Sequence, residues 1–193
     1  SGGMESFYNR GNINLNSKEK LIQDNYKKVN QISARCMRVI VAILALAFLY
    51  CYFGTDMDDS VLIVFFASAI FIALIPTLII NILKFDHAPV TKHIVIICVC
   101  LIATLMLTLL STYAYPIMLF PILLASLYYN QTLVLFASLL MSCGIVVSNY
   151  FAYRFSNVFI GFPCETFEEA MMAYVVPQIV VVFGLSVAAY FIV

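Results

Sequence analysis

Residues 94–112, IVIICVCLIATLMLTLLST, contain no charged side chain. Five other stretches of this chain are nearly as apolar. A helix that crosses a bilayer needs about 20 predominantly apolar residues, fewer where interfacial aromatics extend it. The runs at 36–53, 60–83, 94–112, 115–129, 132–151 and 170–193 meet that need. Hydrocarbon offers no water to the backbone, so such runs must satisfy their own amides as helices. Composition agrees. The chain is 64% hydrophobic and 10% charged over 193 residues, with a mean hydropathy of +1.02, whereas soluble domains are roughly half apolar and a quarter charged. The sequence predicts an all-α fold, a polytopic membrane bundle of six transmembrane helices. The fourth run is short. Tyr113 and Tyr115 extend it through the interface, and a re-entrant segment with five full crossings is the alternative. The two-residue connection Asn130-Gln131 predicts a tight hairpin between spans four and five.

Charge placement sets the expected orientation, because cytoplasmic segments of membrane proteins are enriched in Lys and Arg. Arg10, Lys18, Lys20, Lys27, Lys28, Arg35 and Arg38 precede or open the first span, and Lys84 and Lys92 lie between spans two and three. These are nine of the ten basic residues. The other side carries Asp56, Asp58, Asp59, Glu165, Glu168 and Glu169, with Arg154 its one basic residue. Both ends of the chain are expected in the cytoplasm, with the protein multi-pass in the membrane. Ten acidic residues balance the ten basic ones, so nothing points to nucleic acid as a partner.

Ser1-Gly2-Gly3 before Met4 read as a tag scar, and 4–34 as a partly helical cytoplasmic segment ahead of a membrane domain at 35–193. Ser17 suits a helix N-cap. Leu21, Tyr26, Val29 and Ile32 make a ragged apolar stripe between lysines. Two readings stand: a helix lying on the anionic inner leaflet, or a plain continuation of span one. Val193 ends the chain within an apolar run, and a further cytoplasmic domain is expected beyond it. The six cysteines (Cys36, Cys51, Cys98, Cys100, Cys143, Cys164) lack metal or redox spacing and read mainly as small buried hydrophobes. Cys51 and Cys164 share the outer side, where a disulfide is open to them. No cofactor or metal is expected.

Polar groups within the spans are sparse, and no acid or base lies at mid-membrane, which argues against proton- or ion-coupled transport. Tyr113, Tyr115, Asn149, Arg154, Glu169 and Gln178 gather toward the outer face and are the candidate ligand-binding residues. Interhelical adhesion by the amides and an aromatic belt formed by the tyrosines are the competing explanations. Pro76, Pro121 and Pro177 are candidate hinges, since each removes a backbone hydrogen bond inside a span. Pro177 lies about 12 Å below Glu169 at 1.5 Å per residue. It frees a carbonyl near Ala173, and Gln178 beside it can bond into the break or to span five near Asn149. His93 and Cys100 are seven residues apart on one helix face. That spacing resembles the His–Cys pair of membrane cysteine peptidases that process quorum-sensing peptides. Cys100, however, stands in an apolar run without a polar partner to orient a base.

Three segments carry a wider resemblance: YPIMLFPILLASLYYN at 115–130, YVVPQ at 174–178, and the lysine-rich lead-in at 19–29. Together they resemble the N-terminal multi-span membrane domains of Firmicutes signalling proteins. In those proteins the membrane module precedes a histidine kinase, a diguanylate cyclase, a PP2C-type phosphatase or a chemotaxis-type coiled coil. The resemblance implies a non-enzymatic sensory module that responds to a small molecule on the outer side or to the bilayer. It would form a homodimer through membrane and cytoplasmic helices and relay a shift through span six. A small-molecule carrier or transporter subunit is the rival class, and an intramembrane peptidase a second.

Overall fold

The computed structural model describes residues 2–54, 58–85, 89–154 and 166–193, with side chains described from residue 20 onward except at 111–114. Among the described residues every regular element is helical. Helix α1 (Gly2–Gly54) runs 53 residues without a break, about 80 Å at 1.5 Å per residue. The lysine-rich lead-in and the first apolar run are therefore one continuous rod, not two elements.

Helix α2 (Asp59–Asn81) starts where Asp58 Oδ1 accepts the Ser60 amide at 2.8 Å, satisfying one of the donors that a helix start leaves open. Pro76 is buried within it, and the neighbouring Thr77 hydroxyl reaches the Ala34 carbonyl of α1 at 3.4 Å. Helix α3 (Pro89–Leu110) is the centre of the bundle, with buried side chains around most of its circumference. Helix α5 (Gln131–Arg154) packs against it through small residues. At Gly144 an added Cβ would collide with Thr104 Oγ1 of α3, so with Thr104 in place glycine allows this approach, as at many membrane helix contacts.

Between α3 and α5 the structure differs from the continuous α-helix expected over 115–129. A 3₁₀ segment (Ser111–Leu119) leads into a short α4 (Phe120–Ser126). Pro116 lies inside the 3₁₀ segment and Pro121 in the first turn of α4. Neither can donate an amide, and an α-ladder becomes favourable only beyond the second. Tyr129 then takes a left-handed φ of 49°, and Asn130 Oδ1 caps the Leu133 amide of α5 at 3.1 Å. This sharp reversal is the tight hairpin expected from the two-residue connection.

The last helical stretch is assembled from three pieces: α6 (Phe167–Ala170), a π-helical turn (Met171–Val175) and α7 (Val176–Ile192). Thr166 Oγ1 caps its start by accepting the Glu169 amide at 3.3 Å. Gln131 Nε2 donates to the Tyr190 carbonyl at 3.3 Å, which places the start of α5 beside the end of α7.

Lys20–Gly54, Asp59–Asn81, Pro89–Leu110, Gln131–Arg154 and Phe167–Ile192 are each long and apolar enough to cross a membrane, whereas Tyr115–Ser126 is shorter. Large apolar side chains point outward, among them Phe71, Phe183 and Phe191. A face of that kind is stable against lipid and unstable in water. The architecture is that of a helical membrane protein.

Candidate functional site

The six candidate ligand residues do not form one assembled site. Asn149 and Gln178 are buried and meet, with Asn149 Nδ2 donating to Gln178 Oε1 at 3.2 Å and to the Ile145 carbonyl at 2.8 Å. Arg154 and Glu169 are exposed, and Tyr115 is half-buried against the apolar core. The Tyr113 side chain falls outside the described residues, as does Cys164, the partner considered for the buried Cys51.

The Asn149–Gln178 pair adjoins the irregular turn of the last helix. Pro177 has no amide hydrogen, so the carbonyl one turn earlier has no donor in a regular α-helix. The chain responds over Met171–Val175 by widening to i→i+5 bonding, the Val176 amide reaching the Met171 carbonyl. Such π turns are uncommon and concentrate at functional positions in helices. Gln178, one residue past the proline, is held from the side by α5.

Of the three candidate hinges, one differs from a position inside a span, and Pro177 lies within Phe167–Ile192. Pro121 opens α4, where the missing amide is one the first turn leaves unbonded anyway. Pro177 opens α7 directly after the π turn. Pro76 alone stands within an unbroken α-helix.

A second polar cluster lies at the opposite end of α5, and sequence reasoning missed it. Tyr128, just past α4, donates its hydroxyl to Asn30 Oδ1 of α1 at 2.7 Å and lies 3.4 Å from the Ser33 hydroxyl. Asn30 and Ser33 are fully buried and Tyr128 is 1% exposed. Tyr26 packs its ring at 6.2 Å from that of Tyr128. Lys92, at the start of α3, donates to the Tyr26 hydroxyl at 3.2 Å with its ammonium 4.4 Å from the ring centroid. A cation over an aromatic face is held by the ring quadrupole, which here compensates a lysine only 8% exposed. Tyr26 thus touches both Lys92 and Tyr128, so the start of α3 and the end of α4 lie at the same end of the bundle. Asn30 and Ser33 in α1, spaced to share a face, were the available signal. They were hidden because the lead-in was read by its apolar and basic residues alone.

His93 and Cys100 have separate partners. His93 Nδ1 lies 3.3 Å from the Pro89 carbonyl, and its ring packs edge-on against Phe136. Cys100 is buried, with its sulfur 4.0 Å from the Ala137 carbonyl. No group of three or more His, Cys, Asp or Glu is placed to hold a metal among the described residues. Compared with protein-family models, curated proteins and solved structures, the chain matches none.

Proposed function

We propose that this chain is the membrane sensory module of a bacterial signal-transduction protein and passes a helix movement through its last span to a cytoplasmic output domain. The observation that carries this reading is the π turn at Met171–Val175, followed by Pro177 and tied sideways to α5 through Gln178 and Asn149. A helix interrupted in this way has two accessible packings, regular and widened, separated by few bonds. A ligand or a bilayer change that favours one of them shifts the population of the other. The side chains of Asn149 and Gln178 are the groups through which such a change reaches the break.

Six crossings, with both termini in the cytoplasm, fit this role. The 3₁₀ segment contributes about 18 Å at 2.0 Å per residue and α4 about 10 Å, close to the roughly 30 Å hydrocarbon core. The common contact of Lys92 and Tyr128 with Tyr26 supports a full return over that stretch. Nine of the ten basic residues then fall on one side.

The test is Pro177→Ala in the protein as its gene encodes it. Alanine restores the amide and favours a regular helix, so the output is expected to lock on or off while expression and insertion stay normal. An unchanged dose response would reduce the last span to an anchor and overturn the reading.

A further inference from the structure

A cavity of about 570 Å³ is lined by α1, α3, the 3₁₀ segment and the first residue of α4. We infer that this cavity is a binding site for one acyl chain of a bilayer phospholipid. The inference needs only that the chain sits in a bilayer, and it stands or falls apart from the signalling reading.

Chemistry and access point to that occupant. Among the described residues every lining side chain is apolar, so these side chains offer no donor, acceptor or charge to a polar ligand. Water does not fill such a space stably, because it finds none of the partners it needs. Its volume lies within the roughly 300–1,000 Å³ usual for ligand pockets. Ile43 lines the cavity and is nevertheless 57% exposed, so one wall opens sideways. Val39 and Leu46, one turn below and above it, are exposed on the adjoining face of α1. That face borders hydrocarbon, and the opening therefore communicates with acyl chains and not with the aqueous phase.

The cavity follows from the same sequence feature that shortens the fourth helix. Pro116 lines it directly, and the 3₁₀ backbone around Pro116 leaves uncovered what a continuous α-helix packed along α1 would fill. Ala47 and Ala103 keep the walls apart, each a small residue where a larger one would close the gap.

The chain contains no tryptophan, so a single introduced indole reports on one place. Phe120→Trp puts it in the cavity wall, and Phe191→Trp puts it on the lipid-facing surface of α7. Both proteins are reconstituted in phosphatidylcholine vesicles with and without bromine along the acyl chains, which quenches indole on contact. Both indoles are expected to be quenched. Adding Ala47→Phe should abolish quenching at position 120 and leave it intact at 191. Ala103→Phe is the second filler, used if Ala47→Phe is not monodisperse. An indole at 120 that is shielded from brominated lipid overturns the proposal, and a cross-link from a second copy there would identify the occupant as protein. Quenching at 120 that survives both fillers also overturns it, since the indole would then report bulk lipid.

Discussion

Tyr128 donates its phenolic hydrogen to Oδ1 of Asn30 over 2.7 Å, joining positions 98 residues apart. Both groups are buried, and together they pin the end of α4 to the long first helix. A hydrogen bond of this kind contributes about 1 kcal/mol net, and more is lost when a buried partner keeps one bond fewer. Tyr128→Phe removes the hydroxyl and preserves the ring, which packs at a tilt against that of Tyr26. The variant is expected to lose about 1–2 kcal/mol, within the range for buried polar groups and somewhat above the mean for membrane interiors. Thermal unfolding in detergent should show a melting point lowered by a few degrees. An unchanged melting point would mean that ring packing alone holds the two helices.

Gly144 and Thr104 make the second prediction. Gly144→Ala places a methyl group against the Thr104 hydroxyl, and overpacking of a tight contact costs about 1–3 kcal/mol. Thr104→Ala removes the obstructing hydroxyl, whose bond is to the Cys100 carbonyl of its own helix at 2.8 Å. The double variant should recover most of the stability lost by Gly144→Ala. Additive losses in the double variant would show that the two helices do not meet at these residues.

Topology is tested by labelling in intact cells. Single cysteines placed in the 56–59 and 164–169 segments should react with a membrane-impermeant maleimide, and those in 84–92 should not. Reaction of the 84–92 segment from outside would reverse the assignment of every span.

Asp58 supplies a pH test outside the membrane-spanning helices. Hydrogen bonds from Ser60 hold its carboxyl below the usual carboxylate range. With the folded value below the unfolded one, the cap contributes fully at pH above the unfolded value. It is lost as pH falls through the lowered folded value. Hydrogen exchange at the Ser60 amide should therefore accelerate, relative to intrinsic exchange, as acid protonates Asp58. Asp58→Asn keeps an acceptor that does not titrate and should flatten that dependence. Equal pH profiles in the two proteins would remove Asp58 as the titrating cap.

Within the apolar runs, the fourth excepted, helix was legible because hydrocarbon leaves a backbone no alternative. The sequence leaves the continuation of the lead-in into span one open, and it does not signal the π turn. The runs at 60–83 and 132–151 appear as α2 and α5 with shifts of a few residues at their ends. The fourth run was legible as apolar but not in its form, because two prolines five residues apart act on the ladder jointly and composition does not register that. Gln178 beside Pro177 suggested a bond toward Asn149, and those two side chains do meet. Arg154 and Glu169 have no such apolar confinement. Lying near helix ends, they remain exposed.

What the sequence determined by itself was periodic and local: where each helix could run and where proline denied an amide. Ser17, read as an N-cap, instead lies inside the unbroken α1. Asp58, Asn130 and Thr166 act within a few residues of their own positions, so their roles can be read from spacing. Only the tertiary structure decided which polar groups would meet. Asn30, Lys92 and Tyr128 come from three separate elements, and nothing local distinguishes them from interfacial residues that face water. Their burial is set by how closely α3 packs against its neighbours. That closeness depends on volumes such as the missing side chain at Gly144, which act between helices and leave no periodic trace in the chain.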